Sequence, residues 1–274
     1  MLKLIKSQCR KYLKNFLNSR GYDLVKLSEI DRLNQKSSEM SNEILKFSKE
    51  LVFLKLPPNS RRVDLLTKLY GTSVSEAIYL AHYLHLSLKN DGDVCEMGIA
   101  NGATSAFIAN EITHTKKQLY LFDSFQGLSK PTSKDKLIDD ILGLGSMDKY
   151  QGTMSYPVQE VDSRLKAIGF KKNRTTIIPG FIENSIHSPF VPKSVCFAYL
   201  DFDLYQPIKT GLNFLKSKLT VKSYVIVDDY GHFSSGAKTA VHEFLKENKN
   251  FKLILPHAYA GPFCIIEKVS PEPK

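Results

Sequence analysis

After Pro57-Pro58, short apolar runs alternate along the chain with segments whose apolar residues recur at helical spacing. Two successive prolines cannot continue a helix, so they separate this pattern from the more polar stretch before them. Alternation of strands and helices is typical of an α/β domain with a largely parallel sheet. The pattern predicts strands at Asp93–Met97, Gln118–Phe122, Thr175–Ile178, Val195–Asp201, Tyr224–Asp228, Lys252–Leu255 and Phe263–Glu267. It predicts helices at Val74–Lys89, Thr104–Thr113, Pro157–Ile168, Gln206–Lys218 and Gly236–Lys246.

The last two predicted strands are separated only by the short stretch around Pro256–Pro262, which indicates an antiparallel final strand. We therefore expect a seven-stranded, mostly parallel sheet with an antiparallel last strand. The chain divides into a basic helical extension over residues 1–60 and an α/β domain over residues 61–274. A chain of 274 residues, 42% of them hydrophobic, is long enough to bury a sizeable core.

The net charge of +10, from 38 Lys and Arg against 28 Asp and Glu, is concentrated at the N-terminus. Residues 1–22 hold 6 of these 10 excess charges and contain no acidic residue, so the rest of the chain carries only +4. Apolar residues of Met1–Tyr22 recur at three- and four-residue steps, which predicts a basic amphipathic helix. Such a helix contacts an anionic membrane surface or a lipid-like substrate, or it packs on its own domain or on a second subunit. Both interpretations stay open, and we expect a homo-oligomer.

No stretch approaches the roughly 18 consecutive apolar residues of a membrane span. The four cysteines, Cys9, Cys95, Cys196 and Cys264, form no C-x-x-C pair, and the last three lie in apolar, strand-like runs. This placement indicates reduced core residues rather than a zinc site or a disulfide framework. We expect a cytoplasmic protein, peripheral at a membrane if residues 1–22 face lipid. The near-balanced α/β domain argues against nucleic acid as the partner.

A glycine-containing turn follows the first predicted strand, in the stretch DVCEMGIANGATSAFIA at 93–109. The strand ends at Glu96, and Gly98 and Gly102 precede a helix. Glycines at such a turn let the backbone approach a ligand, and the helix start offers unpaired N–H groups. Because the spacing is not G-x-G-x-x-G, the motif favours a nucleotide-like ligand without specifying a nicotinamide or flavin. A plain tight turn is the alternative.

Residues at the ends of the second and third predicted strands are candidates for contacts with the same ligand. Asp123 ends the second predicted strand, where an acidic residue accepts hydrogen bonds from ribose hydroxyls in doubly wound sheets. Ile182 and Glu183 follow the third predicted strand, where a side chain commonly covers an adenine face. The alternatives are a strand-terminating Asp and ordinary loop packing.

Carboxylates gather at the ends of the fourth and fifth predicted strands. Asp201 and Asp203 follow one strand, and Asp228 and Asp229 follow the other. Because neighbouring parallel strands end at the same edge of a sheet, these side chains are predicted to lie side by side. Without a cation they would repel and raise one another's pKa, and oxygen-only ligands suit Mg²⁺. The alternative is that these aspartates cap the turn and the next helix.

The strings EMGIANGATS, LFDSFQGL, GFIENSI, LDFDLY and VIVDDY resemble the macrocin O-methyltransferase family over roughly residues 66–267. The resemblance implies the Rossmann-like fold of class I methyltransferases, with S-adenosylmethionine and Mg²⁺ as cofactors. It also implies a lid near residues 130–154 that selects the acceptor.

The resemblance implies a role for individual residues. It places Glu96, Gly98, Gly102 and Ser105 at the methionine end of the cofactor, with Thr72 nearby, and Asp123 with Ser124 at the ribose; Asp201, Asp228 and Asp229 would bind Mg²⁺. The family's Asp-Gly-Asp is Asp201-Phe202-Asp203 here, so either Asp201 or Asp203 is the ligand from this strand.

The expected activity is Mg²⁺-assisted methylation of a small-molecule hydroxyl, such as that of a sugar moiety in a glycosylated natural product or glycolipid. Asp201 is the candidate proton acceptor and His232 a second one. The other candidate histidines, His114, His187 and His257, rank lower. Two alternatives are a nucleic-acid methyltransferase and a non-catalytic, membrane-associated cofactor-binding protein.

Overall fold

The computed structural model describes residues 56–270 and, before them, positions 11–13, 15, 16, 32, 33, 35, 36 and 39. Those early positions are helical, and the remainder of the helix predicted over Met1–Tyr22 lies outside the described residues. Contacts divide the chain into two units, Met1–Lys49 and Glu50–Lys274. The second unit contains every element described below.

One seven-stranded sheet forms the centre of residues 56–270. Its strands are β1 (Asp93–Met97), β2 (Leu119–Asp123), β3 (Thr175–Pro179), β4 (Val195–Leu200), β5 (Leu219–Val227), β6 (Phe251–Ile254) and β7 (Cys264–Lys268). They are ordered β3-β2-β1-β4-β5-β7-β6. The last strand, β7, runs antiparallel to both β5 and β6, and the other neighbouring pairs are parallel. The predicted sheet with its antiparallel last strand is thus confirmed.

Helices connect the strands. They are α1 (Arg62–Leu66), α2 (Val74–Ser87), α3 (Ala103–Glu111), α4 (Val158–Ala167), α5 (Ile182–Ser185), α6 (Tyr205–Lys216) and α7 (Ser235–Glu247). Short 3₁₀ turns lie at Met147–Tyr150 and Lys172–Arg174. The five predicted helices are confirmed to within two residues at each end. The sequence did not predict α1 and α5, because elements of five and four residues are too short to show helical periodicity.

The start of β5 was predicted wrongly, at Tyr224, whereas the strand begins at Leu219. Its early part contains polar residues that interrupt the apolar run, and Lys222 has a left-handed φ of 64°. The register with β4 also shifts here, since Val195 pairs with Leu219 but Phe197 pairs with Tyr224. An irregular strand of this kind lacks the pattern from which a strand is predicted.

The core is centred on β4, whose six residues are all buried. Helix α2 packs on β4 and β5, as does α6. Cys95, Cys196 and Cys264 are buried free thiols in this core, as expected, and Cys9 lies outside the described residues. Among the described residues, no helix is long and apolar enough to cross a lipid bilayer.

A buried ion cluster ties the first three helices together. The Arg62 guanidinium donates to both carboxylate oxygens of Glu111, at 2.9 and 2.6 Å, and His85 Nε2 lies 2.8 Å from Glu111 Oε2. Burial alone would raise the pKa of Glu111, but the hydrogen bonds from His85 and Arg62 outweigh it and hold that pKa below its ordinary value. The charged carboxylate is therefore the form that fits the fold.

We expect Arg62→Met to lower the free energy of unfolding at pH 7 by about 3 kcal/mol, because it leaves a buried carboxylate poorly compensated. A lowered pKa in the folded state stabilises above the unfolded pKa, so the loss should shrink as the pH falls and Glu111 becomes protonated. Urea unfolding at several pH values measures both. The control is Lys68→Met, which breaks an exposed pair with Asp64 and should change stability by less than about 0.5 kcal/mol. Equal effects of the two variants would contradict the expectation.

Candidate functional site

A cavity of about 520 Å³ opens at the carboxyl ends of the parallel strands. Its wall includes residues that follow four of them: Gly98 after β1, Asp123 at the end of β2, Asp201 after β4 and Asp228 after β5. In α/β sheets this edge is where ligands bind, because loops and helix N-termini converge there.

The turn after β1 brings the backbone of two strands into close contact. Gly98 has a left-handed φ of 86°, and a Cβ at this position would lie 1.8 Å from the carbonyl oxygen of Asp201. Its amide donates to the carbonyl of Phe122 at 2.8 Å. Gly102, with a φ of 78°, caps the start of α3. The predicted turn therefore leads the chain directly from the sheet edge into a helix N-terminus.

Three residues predicted at the methionine end of the cofactor lie behind the cavity wall: Glu96, Gly102 and Ser105 do not line it. Glu96 is fully buried, and neither of its carboxylate oxygens has a hydrogen-bond partner among the described residues. Burial raises the pKa of Glu96 to about 8, although the nearby Ser105 hydroxyl, which does not reach hydrogen-bonding geometry, opposes part of the rise. A buried acid without partners is held in its neutral form near neutral pH.

Asp123 lines the cavity and holds two loops together. Its Oδ2 accepts a hydrogen bond from the amide of Ile99 at 2.8 Å, and its Oδ1 accepts one from the amide of Phe125 at 2.6 Å. Oδ2 also accepts from the amide of Ala100 at 3.4 Å, so Oδ1 is the oxygen that keeps a lone pair for the predicted ribose role. Ser124, also in the wall, donates to the carbonyl of Gly127 at 2.9 Å.

The other predicted cofactor residues divide between the wall and the interior. Ile182 and Glu183, in the first turn of α5, line the cavity. Thr72 does not, because its hydroxyl faces inward and lies 3.2 Å from that of Thr104. Its neighbour Ser73 lines the cavity instead and caps α2.

Three carboxylates converge on one point. Asp201, Asp203 and Asp229 each offer an oxygen, and these atoms all lie within 4.8 Å of one another. Asp203 and Asp229 both adopt left-handed φ angles, 62° and 52°, in the loops that follow their strands. Burial and then the neighbouring carboxylates raise the pKa of Asp201, and burial and then contact with Asp229 raise that of Asp203. This oxygen-only group has the composition of a site for a hard divalent cation.

Asp228 was predicted as a metal ligand, but the structure does not include it in this group. Its Oδ2 accepts a hydrogen bond from the Tyr199 hydroxyl at 2.9 Å, and its Oδ1 accepts one from the amide of Asp229 at 2.7 Å. Burial is the main cause that raises the pKa of Asp228 to about 6. The structure thus favours Asp203 over Asp228 as the third oxygen ligand, and the ligand set itself stays a prediction.

Sequence reasoning did not find Glu76, which lines the cavity from the first turn of α2. Its buried carboxylate lies 3.3 Å from the Tyr199 hydroxyl, whose single proton is directed to the nearer Asp228. Burial and then the charge of Asp228 raise the pKa of Glu76 well above its ordinary value. The sequence does contain Ser73-x-x-Glu76, which is typical of a helix start, but this pattern carries no signal for a site.

His232 also lines the cavity, between Asp229 and the predicted lid segment. Its Nδ1 lies 3.4 Å from Asp229 Oδ1, and its Nε2 lies 3.1 Å from Asp139 Oδ2. The other three candidate histidines, His114, His187 and His257, do not line the cavity.

The segment predicted as a lid, residues 130–154, contributes Ile141, Leu142 and Met154 to the wall. Its base is fixed by the buried carboxylate of Asp135. One oxygen accepts from the amide of Tyr205 at 2.7 Å, where α6 begins, and from the Ser234 hydroxyl at 3.2 Å, which caps α7.

Comparison with known proteins identifies the family of this chain. The family model described as Macrocin-O-methyltransferase (TylF) matches residues 86–255, more than half of the chain. The chain belongs to the macrocin O-methyltransferase family.

A curated relative from Streptomyces olivaceus is 24% identical over 157 residues, and the match covers 56% of this chain and 58% of that protein's length. It is named 8-demethyl-8-(2,3-dimethoxy-alpha-L-rhamnosyl)-tetracenomycin-C 4'-O-methyltransferase. This chain therefore spans less than two thirds of that relative.

Two solved structures share the fold of this family member. The O-methyltransferase NovP aligns with a TM-score of 0.61 and 18% identity, covering 72% of this chain and 81% of NovP. A calicheamicin methyltransferase aligns with a TM-score of 0.59 and 19% identity, covering 84% of this chain and 92% of that one. The expected class I methyltransferase fold is confirmed.

The residues present in this family member fit the two groups that the family resemblance implied. Gly98 offers a backbone surface without a side chain, and Asp123 lines the cavity beside it. Asp201, Asp203 and Asp229 supply the oxygen atoms that Mg²⁺ prefers. A nucleoside cofactor and a divalent cation would thus lie in one cavity.

We expect Gly98→Ala to be far more damaging than Gly169→Ala. Both glycines have left-handed φ angles, but a Cβ at Gly169 meets nothing within 4 Å, whereas at Gly98 it would overlap the Asp201 carbonyl. Gly169→Ala should cost about 1 kcal/mol of unfolding free energy from backbone strain alone. Gly98→Ala should cost at least about 2 kcal/mol more and abolish binding of S-adenosylhomocysteine. Urea unfolding and titration calorimetry measure the two effects, and similar results for both variants would refute the close-approach argument.

We expect the stability of the cofactor-free protein to fall as the pH rises towards 8. The folded state holds the Glu96 proton more tightly than the unfolded chain, so this stabilisation is complete below about pH 4.5 and is lost as the pH passes about 8. Glu96→Gln should reduce the fall in unfolding free energy over this pH range by up to about a few kcal/mol. The matched control is Glu247→Gln at an exposed position, which should leave the slope unchanged. Urea unfolding from pH 5.5 to 8.5 decides, and an unaltered slope in Glu96→Gln would count against the assignment.

Proposed function

We propose that this protein is an S-adenosylmethionine-dependent, Mg²⁺-assisted O-methyltransferase that acts on a sugar hydroxyl of a small molecule. The observation that carries the proposal is the meeting of two features in one cavity. The glycine turn and Asp123, which we assign to a nucleoside cofactor, line the same cavity as Asp201, Asp203 and Asp229. Two findings support a sugar as the carrier of the acceptor hydroxyl: membership of the family, and the rhamnosyl group in the name of the curated relative.

Asp201 joins the two halves of the site. Its backbone carbonyl lies against Gly98 in the cofactor turn, and its carboxylate belongs to the converging group. Bound S-adenosylmethionine would supply an electrophilic methyl group, and bound Mg²⁺ would acidify a coordinated hydroxyl. Asp201 is therefore placed to accept the proton of that hydroxyl. The surrounding walls hold the acceptor against the cofactor, which supplies much of the rate.

His232 is the second candidate proton acceptor. Both of its ring nitrogens face carboxylates, those of Asp229 and Asp139. We therefore assign His232 to positioning these two residues and not to accepting the proton of the acceptor hydroxyl. Contact of residues 1–22 with a membrane surface and homo-oligomer formation stay predictions alongside this proposal.

We expect excess chelator to abolish methyl transfer and added Mg²⁺ to restore it. Asp229→Asn should lower kcat/KM by at least about a hundredfold, because it removes a charged ligand oxygen while the cofactor cradle remains intact. S-adenosylhomocysteine should still bind this variant in a calorimetric titration. The control, Asp148→Asn at an exposed position, should keep full activity. Methyl transfer that is indifferent to chelator would remove the metal from the proposal and leave the cofactor part standing.

A further inference from the structure

An aromatic ring lies in the cavity wall where the glycine turn meets the carboxylates. Phe202 follows β4, between Asp201 and Asp203, and it lines the cavity. A Cβ built at Gly98 would lie 3.2 Å from Phe202 Cδ1, so the edge of the ring lies close to the α-carbon of that glycine. The family's Asp-Gly-Asp has a glycine where this chain has Phe202, so the ring is a feature of this chain.

The core and a tight turn hold this ring in place. Phe202 is half-buried and packs against the main apolar cluster of the domain, which includes Met97 and Leu200. Its carbonyl accepts a hydrogen bond from the amide of Leu204, across the left-handed φ of 62° at Asp203. Because Phe202 also lines the cavity, a preformed aromatic surface is available to a ligand there.

The chemistry of methyl transfer restricts which part of a bound cofactor would meet this ring. The methyl carbon must contact the acceptor oxygen, and the proposed function places that oxygen at the three converging carboxylates, which follow β4 and β5. It places the nucleoside at Asp123, which ends β2. Strands β2, β1 and β4 are neighbours in that order. The charged sulfur would therefore lie at the ends of β1 and β4, where Gly98 and Phe202 meet.

An aromatic face attracts a cation, because the π electrons of the ring make that face negative. An alkyl side chain at the same position would exclude water without supplying this attraction. The sulfonium of S-adenosylmethionine is positively charged, whereas the sulfur of S-adenosylhomocysteine is neutral. A ring beside the sulfur would therefore distinguish fresh cofactor from spent cofactor by charge.

We propose that Phe202 positions the sulfonium of the cofactor through a cation–π contact and so raises the affinity for S-adenosylmethionine relative to S-adenosylhomocysteine. This inference rests on the proposed function and deepens its cofactor half. Phe202 is a positioning residue, and the contact favours replacement of spent cofactor by fresh cofactor after each methyl transfer.

The test compares two positively charged ligands, S-adenosylmethionine and sinefungin, with S-adenosylhomocysteine. Sinefungin carries an ammonium group on a carbon in place of the sulfur. Titration calorimetry with the full chain, Mg²⁺ and no acceptor gives the ratio of the Kd of S-adenosylhomocysteine to that of each charged ligand. Phe202→Leu should lower both ratios about fivefold, because it removes the aromatic face. Phe202→Tyr keeps this face and should leave both ratios within about twofold of the original.

The matched control is Phe181→Leu, because Phe181 lines the same cavity but follows β3. That strand lies three strand spacings from β4, or about 14 Å. The control should change the affinities for charged and neutral ligands alike and so keep both ratios. Thermal unfolding checks that each variant is folded.

A second measurement does not depend on how well leucine packs. Pentafluorophenylalanine in place of Phe202 keeps the shape of the ring, but its fluorine atoms withdraw electrons from the aromatic face. It should lower both ratios at least as far as Phe202→Leu does.

Three results would overturn the inference: ratios that the fluorinated ring leaves unchanged, an equal fall of the ratios in Phe181→Leu, or a fall in Phe202→Leu that Phe202→Tyr shares. Equal weakening of all three ligands by the fluorinated ring belongs to the first of these, because it would mean that the ring only packs. Failure of the unsubstituted protein to bind any of the three ligands would instead overturn the proposed function, so the two failures are distinguishable.

Discussion

The contact between the β1 turn and the end of β4 determines where the other parts of the site lie. Three backbone hydrogen bonds continue the ladder beyond the strands: Gly98 to Phe122, Asp201 to Met97 and Asp228 to Leu200, at 2.8, 2.8 and 2.9 Å. They hold the loops after β1, β4 and β5 at the same height. Because Gly98 has no side chain, its backbone can meet that of Asp201, and the glycine turn and the carboxylates share one cavity.

This arrangement has an electrostatic cost. Asp203, Asp228 and Glu76 are buried and Asp201 is half-buried at one sheet edge, and loss of hydration raises the pKa of each. The protein offsets part of the cost with the Tyr199 hydroxyl, which contacts both Asp228 and Glu76. The remaining electrostatic cost would be offset by a bound ligand, because binding sites are commonly less stable without their ligand.

Apolar runs and their spacing were sufficient to predict the sheet, five helices and the strand ends that place Asp123, Asp201 and Asp229 at the cavity. What the sequence could not predict depends on loop conformation and on distant packing. Asp203 was predicted beside Asp201 as an alternative ligand, but not together with it, because the group of three depends on a left-handed backbone turn that a non-glycine residue rarely adopts. Glu76 comes from a helix that precedes the whole sheet, so no local pattern relates it to Asp228. The inward orientation of Thr72 was equally unpredictable, because its hydroxyl contacts Thr104 and Tyr199, which are far away in the sequence.

The Asp135 carboxylate is shared between the lid base and the starts of two helices, and it leaves no space for a side chain at Gly236, where a Cβ would lie 1.9 Å away. The base is thereby part of the rigid body of the domain, while the turn around Asp140 is supported by its own hydrogen bonds. A change at Asp135 would thus disturb the lid base and the starts of two helices together, whereas the hydrogen-bond partners of the Asp140 side chain all lie within residues 143–150.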